Sequence, residues 1–574
     1  MRRLRVVLVM TVLVMLVAVP VSAAPGASGA SATTAQTHSY LVLYAAGATK
    51  DSARAAVRTA GGIIARESAI GLAAVMSSNP AFLVDVRRSP AIAGAARNHS
   101  IGTVKPGMAH KFADERLSPE ERATYAPGNT TPPPGGGSGA LKEGKKKSGT
   151  EPLSALQWDM KMIGATPDGA WATTKGKGVT VGIIDTGVDA SHPDLAANFD
   201  WRLSRNFVTD IPAVDGPCEY ADCIDPVGVD DGAHGTHVAG TIAAAMNGLG
   251  ISGVAPEATI VEIRAGQDSG YFFLQETVDA LVYAGDAGID VVNMSFYTDP
   301  WLFNCASAAD YVDGSTEGIE EQQVIRAALL EAIDYAHEHG VTMIAAAGNG
   351  ATDYATPTRL DASSPDYPGG TEIEREVKNA CLDLPTEGPN VISVSALGPS
   401  GDKSDYSNYG TGHIDVAAPG GWYRDGFGTA IYRAPGNLIL STYPQHVAAE
   451  EGSLTTGGGV PKDPFVVRDC SVGVCGYYEY LQGTSMASPH AAGVAALIVA
   501  AHGTKDASGN FSMDPDAVRA YLTGTATETA CPVPATVDYT PIGRPASWNA
   551  TCVGTPSYNN FYGNGIVSAA NAVK

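Results

Sequence analysis

From Gly178 onward the chain alternates short, continuous apolar runs with longer stretches of helical periodicity. The runs at 179–184, 259–263, 291–294, 341–346 and 391–394 lack the apolar–polar alternation of a half-exposed strand, so they predict strands buried on both faces. Between them, 237–246, 275–287 and 322–339 predict helices. Buried strands separated by helices specify an α/β fold with a doubly wound parallel sheet, in which reactive groups belong at strand ends and helix starts. Residues 38–101 have a different rhythm. Strand 39–44, helix 50–60, strands 63–67 and 71–76, helix 80–88 and strand 92–98 predict a small α+β domain of split β-α-β form. Three stretches, 298–318, 351–388 and 422–480, lose periodicity and predict long surface inserts.

Two segments fit neither pattern. An apolar run at 6–19 follows the cationic start Met1-Arg-Arg-Leu-Arg and precedes Val21-Ser-Ala23, whose small residues suit cleavage. This predicts a signal peptide at 1–24 and a secreted, extracellular protein. The run is short for a bilayer, and no later segment is expected to reach spanning length, so no stable membrane anchor is expected. The second segment, 104–152, contains Thr130-Thr-Pro-Pro-Pro-Gly-Gly-Gly-Ser-Gly and Lys145-Lys-Lys, a composition that predicts a flexible linker.

Charge divides at the same place. Up to residue 153 there are 18 Lys and Arg against 9 Asp and Glu, leaving 19 against 51 in the remainder of a chain of net charge −23. So acidic a body argues against nucleic acid or an anionic membrane as partner, while the sign difference favours docking of the front segment on the body. All eight cysteines lie beyond 153, and an even number in an exported chain implies disulfides. Spacing favours Cys218 with Cys223 and Cys470 with Cys475. Cys305 with Cys381 and Cys531 with Cys552 then complete one of several pairings the sequence leaves open.

Three glycine-flanked motifs carry chemistry: Asp185-Thr-Gly, His234-Gly-Thr-His-Val-Ala-Gly-Thr and Gly-Thr-Ser485-Met-Ala-Ser-Pro-His. They supply an acid, an imidazole and a hydroxyl, the parts of a nucleophilic hydrolase in which a base activates a weakly nucleophilic serine. His234 and His237 are three apart with no intervening Glu, unlike zinc-protease histidines, and no catalytic metal is expected. In residue order and local sequence the chain resembles the subtilisin-like serine peptidases, or subtilases, from about Trp158 to the C-terminus.

The resemblance implies Asp185, His234 and Ser485 as catalytic residues and Asn349 of Ala345-Ala-Ala-Gly-Asn349 as the oxyanion donor. It implies substrate-binding strands at Ser295 and Phe296 and, opposite, at Ser269 and Gly270. Phe296-Tyr297-Thr298 and Gly350 depart from the usual family residues, so broad specificity is not implied. Asp194, Asn247, the backbone at Ala245, Leu249 and Ile251, and Gln157 match the family's calcium loop, implying a structural calcium on oxygen donors. The implied division is a signal peptide at 1–24, an inhibitory prodomain at 38–103, a linker at 104–152 and a catalytic domain at 153–574. The expected protein is a monomeric endopeptidase acting on proteins or peptides, with its own prodomain as intramolecular inhibitor. Two rival readings are an inactive scaffold acting as a secreted binding protein and a processing protease of narrow specificity.

Overall fold

The computed structural model describes residues 36–98, 112, 115–118, 121–122, 151–366, 372–456 and 459–574. The expected signal peptide lies outside the described residues, as does most of the linker.

The front segment forms β1 (His38–Tyr44), α1 (Lys50–Thr59), β2 (Gly62–Glu67), β3 (Leu72–Ser77), α2 (Phe82–Val86) and β4 (Ile92–Arg97). The strands make an antiparallel sheet in the order β2-β3-β1-β4. Alternate residues of β1 serve different cores. Tyr40, Val42 and Tyr44 pack with Val57 and Phe82 of the segment's own helices, whereas Leu41 and Leu43 join the core of the large domain. A strand apolar on both faces is one that must be covered twice. Charge assists the docking: Arg66 pairs with Glu276 at 3.2 Å and Asp279 at 2.5 Å, and Arg87 reaches both oxygens of Glu320 at 2.8 and 2.6 Å.

The large domain is built on β5 (Thr180–Ile184), β6 (Arg205–Asn206), β7 (Thr259–Arg264), β8 (Val291–Met294), β9 (Thr342–Ala346), β10 (Val391–Leu397) and β11 (Val416–Pro419). They form one parallel sheet in the order β11-β10-β9-β8-β5-β7-β6. The doubly wound fold expected from the apolar runs is therefore present. β6 and β11 escape the sequence pattern because one has two residues and the other ends on proline. Helices α3 (His234–Ala243), α4 (Leu274–Ala287), α5 (Ile319–Glu338) and α6 (Thr484–His502) flank the sheet. Against expectation, α6 is long and apolar enough to cross a membrane, but 89% of its most apolar window is buried inside the protein. It is apolar all round because it lies inside the core, against β8, β9 and β10.

The inserts are more ordered than their lack of periodicity suggests. The third carries β12 (Ile439–Thr442), β13 (Val466–Asp469) and β14 (Gly476–Leu481), an antiparallel sheet ordered β12-β14-β13. β14 leads directly into α6. All four expected disulfides are formed, with no free cysteine among the described residues. Cys305–Cys381 ties the first two inserts together across 76 residues. Replacing both cysteines by serine is expected to remove about 4 kcal/mol of stability, as a loop of that length implies. Denaturant unfolding of the Ser485→Ala chain, which avoids self-digestion, measures the loss.

Candidate functional site

The three chemical motifs meet at one end of the parallel sheet. Asp185 directly follows β5, His234 opens α3, and Ser485 is the second residue of α6. Asp185 Oδ1 is 2.7 Å from His234 Nδ1 and also accepts the Thr186 N–H at 2.8 Å, which fixes the carboxylate against the imidazole. Asp230 fixes the start of α3. Its carboxylate accepts from the Thr186 hydroxyl at 2.9 Å, from the N–H groups of Ala233 and Thr236 at 2.9 and 2.8 Å, and from the Thr236 hydroxyl at 2.5 Å. The Ala233 N–H bond holds that residue at φ 65, a left-handed setting that costs a non-glycine residue about 1 kcal/mol. Asp230 was not recognised from sequence, although its position four residues before His234 in Asp230-Asp-Gly-Ala-His offers a helix-start signal.

Asn349 follows the β9 turn. Its Oδ1 accepts the Thr484 N–H and hydroxyl, each at 2.9 Å, which turns its Nδ2 toward the cleft. Gly348 before it has φ 92, and a Cβ there would come within 2.5 Å of the Asn408 amide. Asn349→Ala is expected to lower kcat about three-hundred-fold with a smaller change in KM, if its amide serves the developing oxyanion. Steady-state kinetics on a peptide substrate separate the two constants.

A fifth group occupies this centre. Glu115, in the segment read from sequence as a flexible linker, places its carboxylate between Ser485 and His234. Oε1 accepts hydrogen bonds from the Ser485 hydroxyl and, at 3.2 Å, from Asn349 Nδ2, while Oε2 stands 3.0 Å from His234 Nε2. The Gln482 N–H donates to the Glu115 carbonyl at 3.1 Å. Phe112 stacks on the His234 ring with centroids 3.7 Å apart and planes within 7°. Gly483 permits this approach, since a Cβ there would lie 2.9 Å from Glu115 Oε1. Burial by itself would push the His234 imidazole down, but the Asp185 and Glu115 carboxylates outweigh it and carry the ring up to about 10. At neutral pH His234 is therefore charged and has no lone pair with which to take the serine proton. The available signal in the sequence was the apolar pair Phe112 and Leu117 bracketing Glu115-Arg116; such residues have no use in a solvated tether.

The expected substrate strands are only partly accessible. The Ser295 carbonyl accepts from the Ser485 hydroxyl at 3.3 Å, and the Ser295 hydroxyl bonds the Ser485 carbonyl and Ser488. Phe296 is 7% exposed and stacks on Phe272 at 3.9 Å, so it is more a core residue than a pocket wall. On the opposite side Asp215 Oδ1 takes both the Ser269 N–H at 3.1 Å and its hydroxyl at 2.7 Å, and the Gly270 N–H bonds Gln267. Those amides are not free to pair with a peptide. Beside Ser485 lies a pocket of about 250 Å³ lined by Ser295, Tyr297, Ala346, Asn349, Gly350 and Ser363 among others. Ser363 belongs to the second insert, which thus reshapes this wall.

Subtilases commonly bind structural calcium, but the expected calcium loop does not fit the ion as arranged. Asp194 Oδ2 accepts from the Tyr478 hydroxyl at 2.7 Å and the Ile251 N–H at 3.2 Å, and Oδ1 accepts from Asn247 Nδ2 at 3.1 Å. Asn247 Oδ1 accepts the Leu249 N–H, and Gln157 Oε1 accepts the Ser252 N–H. Each of these side-chain oxygens accepts a hydrogen bond, so they do not converge as free donors on one point. The Ala245 N–H bonds the Asp194 carbonyl, closing the loop on itself. Acidic groups able to converge on a cation lie elsewhere, as Asp210, Glu219 and Asp225, and as Glu219, Asp231 and Asp268. Arg264 already pairs with Asp210, Asp225 and Asp268 there.

Comparison with known proteins agrees with the fold. The chain belongs to the subtilase family, whose model matches residues 176–565. It is 31% identical over 363 residues to fervidolysin of Fervidobacterium pennivorans, covering 61% of this chain and 38% of that protein. It is 28% identical over 330 residues to thermitase of Thermoactinomyces vulgaris, covering 57% of this chain and 77% of that one. Among solved structures, the epidermin leader peptide processing serine protease of Staphylococcus aureus superposes with a TM-score of 0.58 at 21% identity, over 94% of this chain and 98% of its own. At that identity the likeness speaks for fold alone, and it extends across the front segment as well.

Proposed function

We propose that this chain is a secreted serine endopeptidase made as a precursor, with Asp185, His234 and Ser485 as its catalytic residues and Glu115 as a latch on them. The observation that carries this reading is the convergence of Ser485 Oγ, His234 Nε2 and Asn349 Nδ2 on one small anionic group. A peptide carbonyl under attack needs those three groups within reach of one point.

Once Glu115 withdraws, His234 loses one of its two carboxylate neighbours and can return to the neutral state. Its Nε2 then takes the Ser485 proton as Oγ attacks the carbonyl carbon. The negative charge falls on the former carbonyl oxygen, facing Asn349 Nδ2 and the amides at the start of α6. As the carbon–nitrogen bond breaks, the proton passes from His234 to the departing amine, leaving an ester on Ser485. Water, deprotonated by His234, hydrolyses that ester. Asp185 stays ionised throughout and holds Nδ1.

Four disulfides favour an oxidising, extracellular setting. The docked front segment and the latch together account for an inhibited precursor. An inactive binding scaffold would not require Asp185, His234, Asn349 and Ser485 all to be present. The test is a serine-directed phosphonate probe applied to the chain after maturation, with casein as substrate and N-terminal sequencing of the products. Labelling at Ser485 together with hydrolysis supports the reading. A folded, latch-free chain that neither labels nor hydrolyses overturns it in favour of the scaffold.

A further inference from the structure

The latch is one point on a longer strap. Beyond Glu115, Leu117 is buried among Tyr423, Leu438, Leu440, Phe465 and Tyr480 of the third insert. The two arginines that flank Leu117 enter separate receptors on that insert. Arg116 pairs with Glu451 and lies over the Tyr443 ring, 5.3 Å from its centroid. Arg122 pairs with Asp463 and, at 2.6 Å, with Glu479, and lies 5.0 Å over the Phe465 ring. An acid beside an aromatic face is the arrangement that receives a guanidinium, which can stack and donate at once.

Glu479 is the telling residue. It is only 1% exposed, its Oε1 is taken by Arg122, and its Oε2 is buried with no hydrogen-bond partner among the described residues. Burial pushes the Glu479 carboxyl up, and Arg116 and Arg122 oppose that push. When the strap leaves, a buried carboxylate loses its cation and keeps an unused acceptor, a state that favours any replacement guanidinium.

We infer that the third insert forms two arginine-binding subsites for the substrate, which the strap fills until maturation and which then select peptides with Arg on the C-terminal side of the cleaved bond. The side follows from direction. The strap runs from Phe112, packed near Phe272 and against His234, past Ser485 at Glu115, to the insert at Leu117 and Arg122. A peptide lying in the same direction puts its reacting carbonyl at the Glu115 carboxylate and the residues that follow it on Glu451, Asp463 and Glu479. This inference rests on the peptidase reading above.

The test uses the matured enzyme and peptides identical up to the cleaved bond. Arg, Ala or Glu is placed singly at each of the seven positions after it. At the best position Arg is expected to raise kcat/KM about ten-fold over Ala, with Glu slower than Ala. Glu479→Gln, and separately the more exposed Asp463→Asn, should bring the Arg peptide down toward the Ala peptide. Cleavage of all three series within about two-fold at every position overturns the inference while leaving the peptidase reading intact. An Arg preference that survives both substitutions, and also survives Glu451→Gln where it falls at the position matching Arg116, overturns the assignment to this insert. Failure to cleave any peptide overturns the peptidase reading, and this inference with it.

Discussion

Ser485→Ala is expected to abolish peptide-bond hydrolysis, lowering kcat by about a million-fold, because removal of the nucleophile disables the acid and base that serve it. The substitution leaves the fold undisturbed: among the described residues the Ser485 hydroxyl bonds only Glu115 and the Ser295 carbonyl, and neither contact supports the core. If maturation is self-inflicted, the same variant accumulates as an uncut chain. Mass spectrometry of the expressed product reads that outcome directly. Trimming at the native position in a host free of proteases would remove self-processing from the account, without touching the catalytic role.

Glu115→Ala is expected to act in the opposite sense, raising the rate at which a serine-directed probe labels the uncut precursor by roughly a thousand-fold. The carboxylate meets Ser485, Asn349 and His234, and three charge-assisted contacts at about 1.5 kcal/mol each give that factor. Glu115→Gln keeps the shape and loses the charge, so it should fall between the two. If the front segment alone inhibits, both variants will label as slowly as the parent. The latch also has a pH signature. His234 rises from 6.5 when free to about 10 here. A raised value means the ion pair is fully present below pH 6.5 and is lost as pH climbs through 10. Precursor labelling should therefore accelerate across that window, and Glu115→Gln, which removes one of the carboxylates responsible, should shift the rise to lower pH.

The sheet was legible from sequence because its strands are buried on both faces and so read as unbroken apolar runs. The same reasoning fails at β6 and at the insert strands. Two-residue β6 is too short for any pattern, four-residue β12 is scarcely longer, and β13 and β14 interrupt their apolar residues with Arg468, Asp469 and Glu479, which breaks the run. Asp185, His234, Asn349 and Ser485 were readable because each lies in a glycine-bearing motif at the end of a recognisable element. Glu115 was not. A residue whose importance depends on what it touches more than a hundred positions away leaves only a faint local mark, and Pro- and Gly-rich neighbours masked the few apolar residues beside it. The calcium loop is a related case. The oxygens expected to bind the ion are present in the sequence, but only the fold reveals that Tyr478, Asn247 and backbone amides occupy them.

Because the strap is tethered at both ends, it competes with substrate at an effective concentration on the order of millimolar, whatever the concentration of the protein. Dilution does not loosen it. Scission on both sides of Glu115 changes the reaction order: a strap released from both tethers becomes a diffusible inhibitor whose hold weakens as the solution is diluted. Each enzyme freed in this way can cut the straps of its neighbours. The onset of activity in a population should then show a lag followed by a self-accelerating rise, and the lag should shorten as precursor concentration increases.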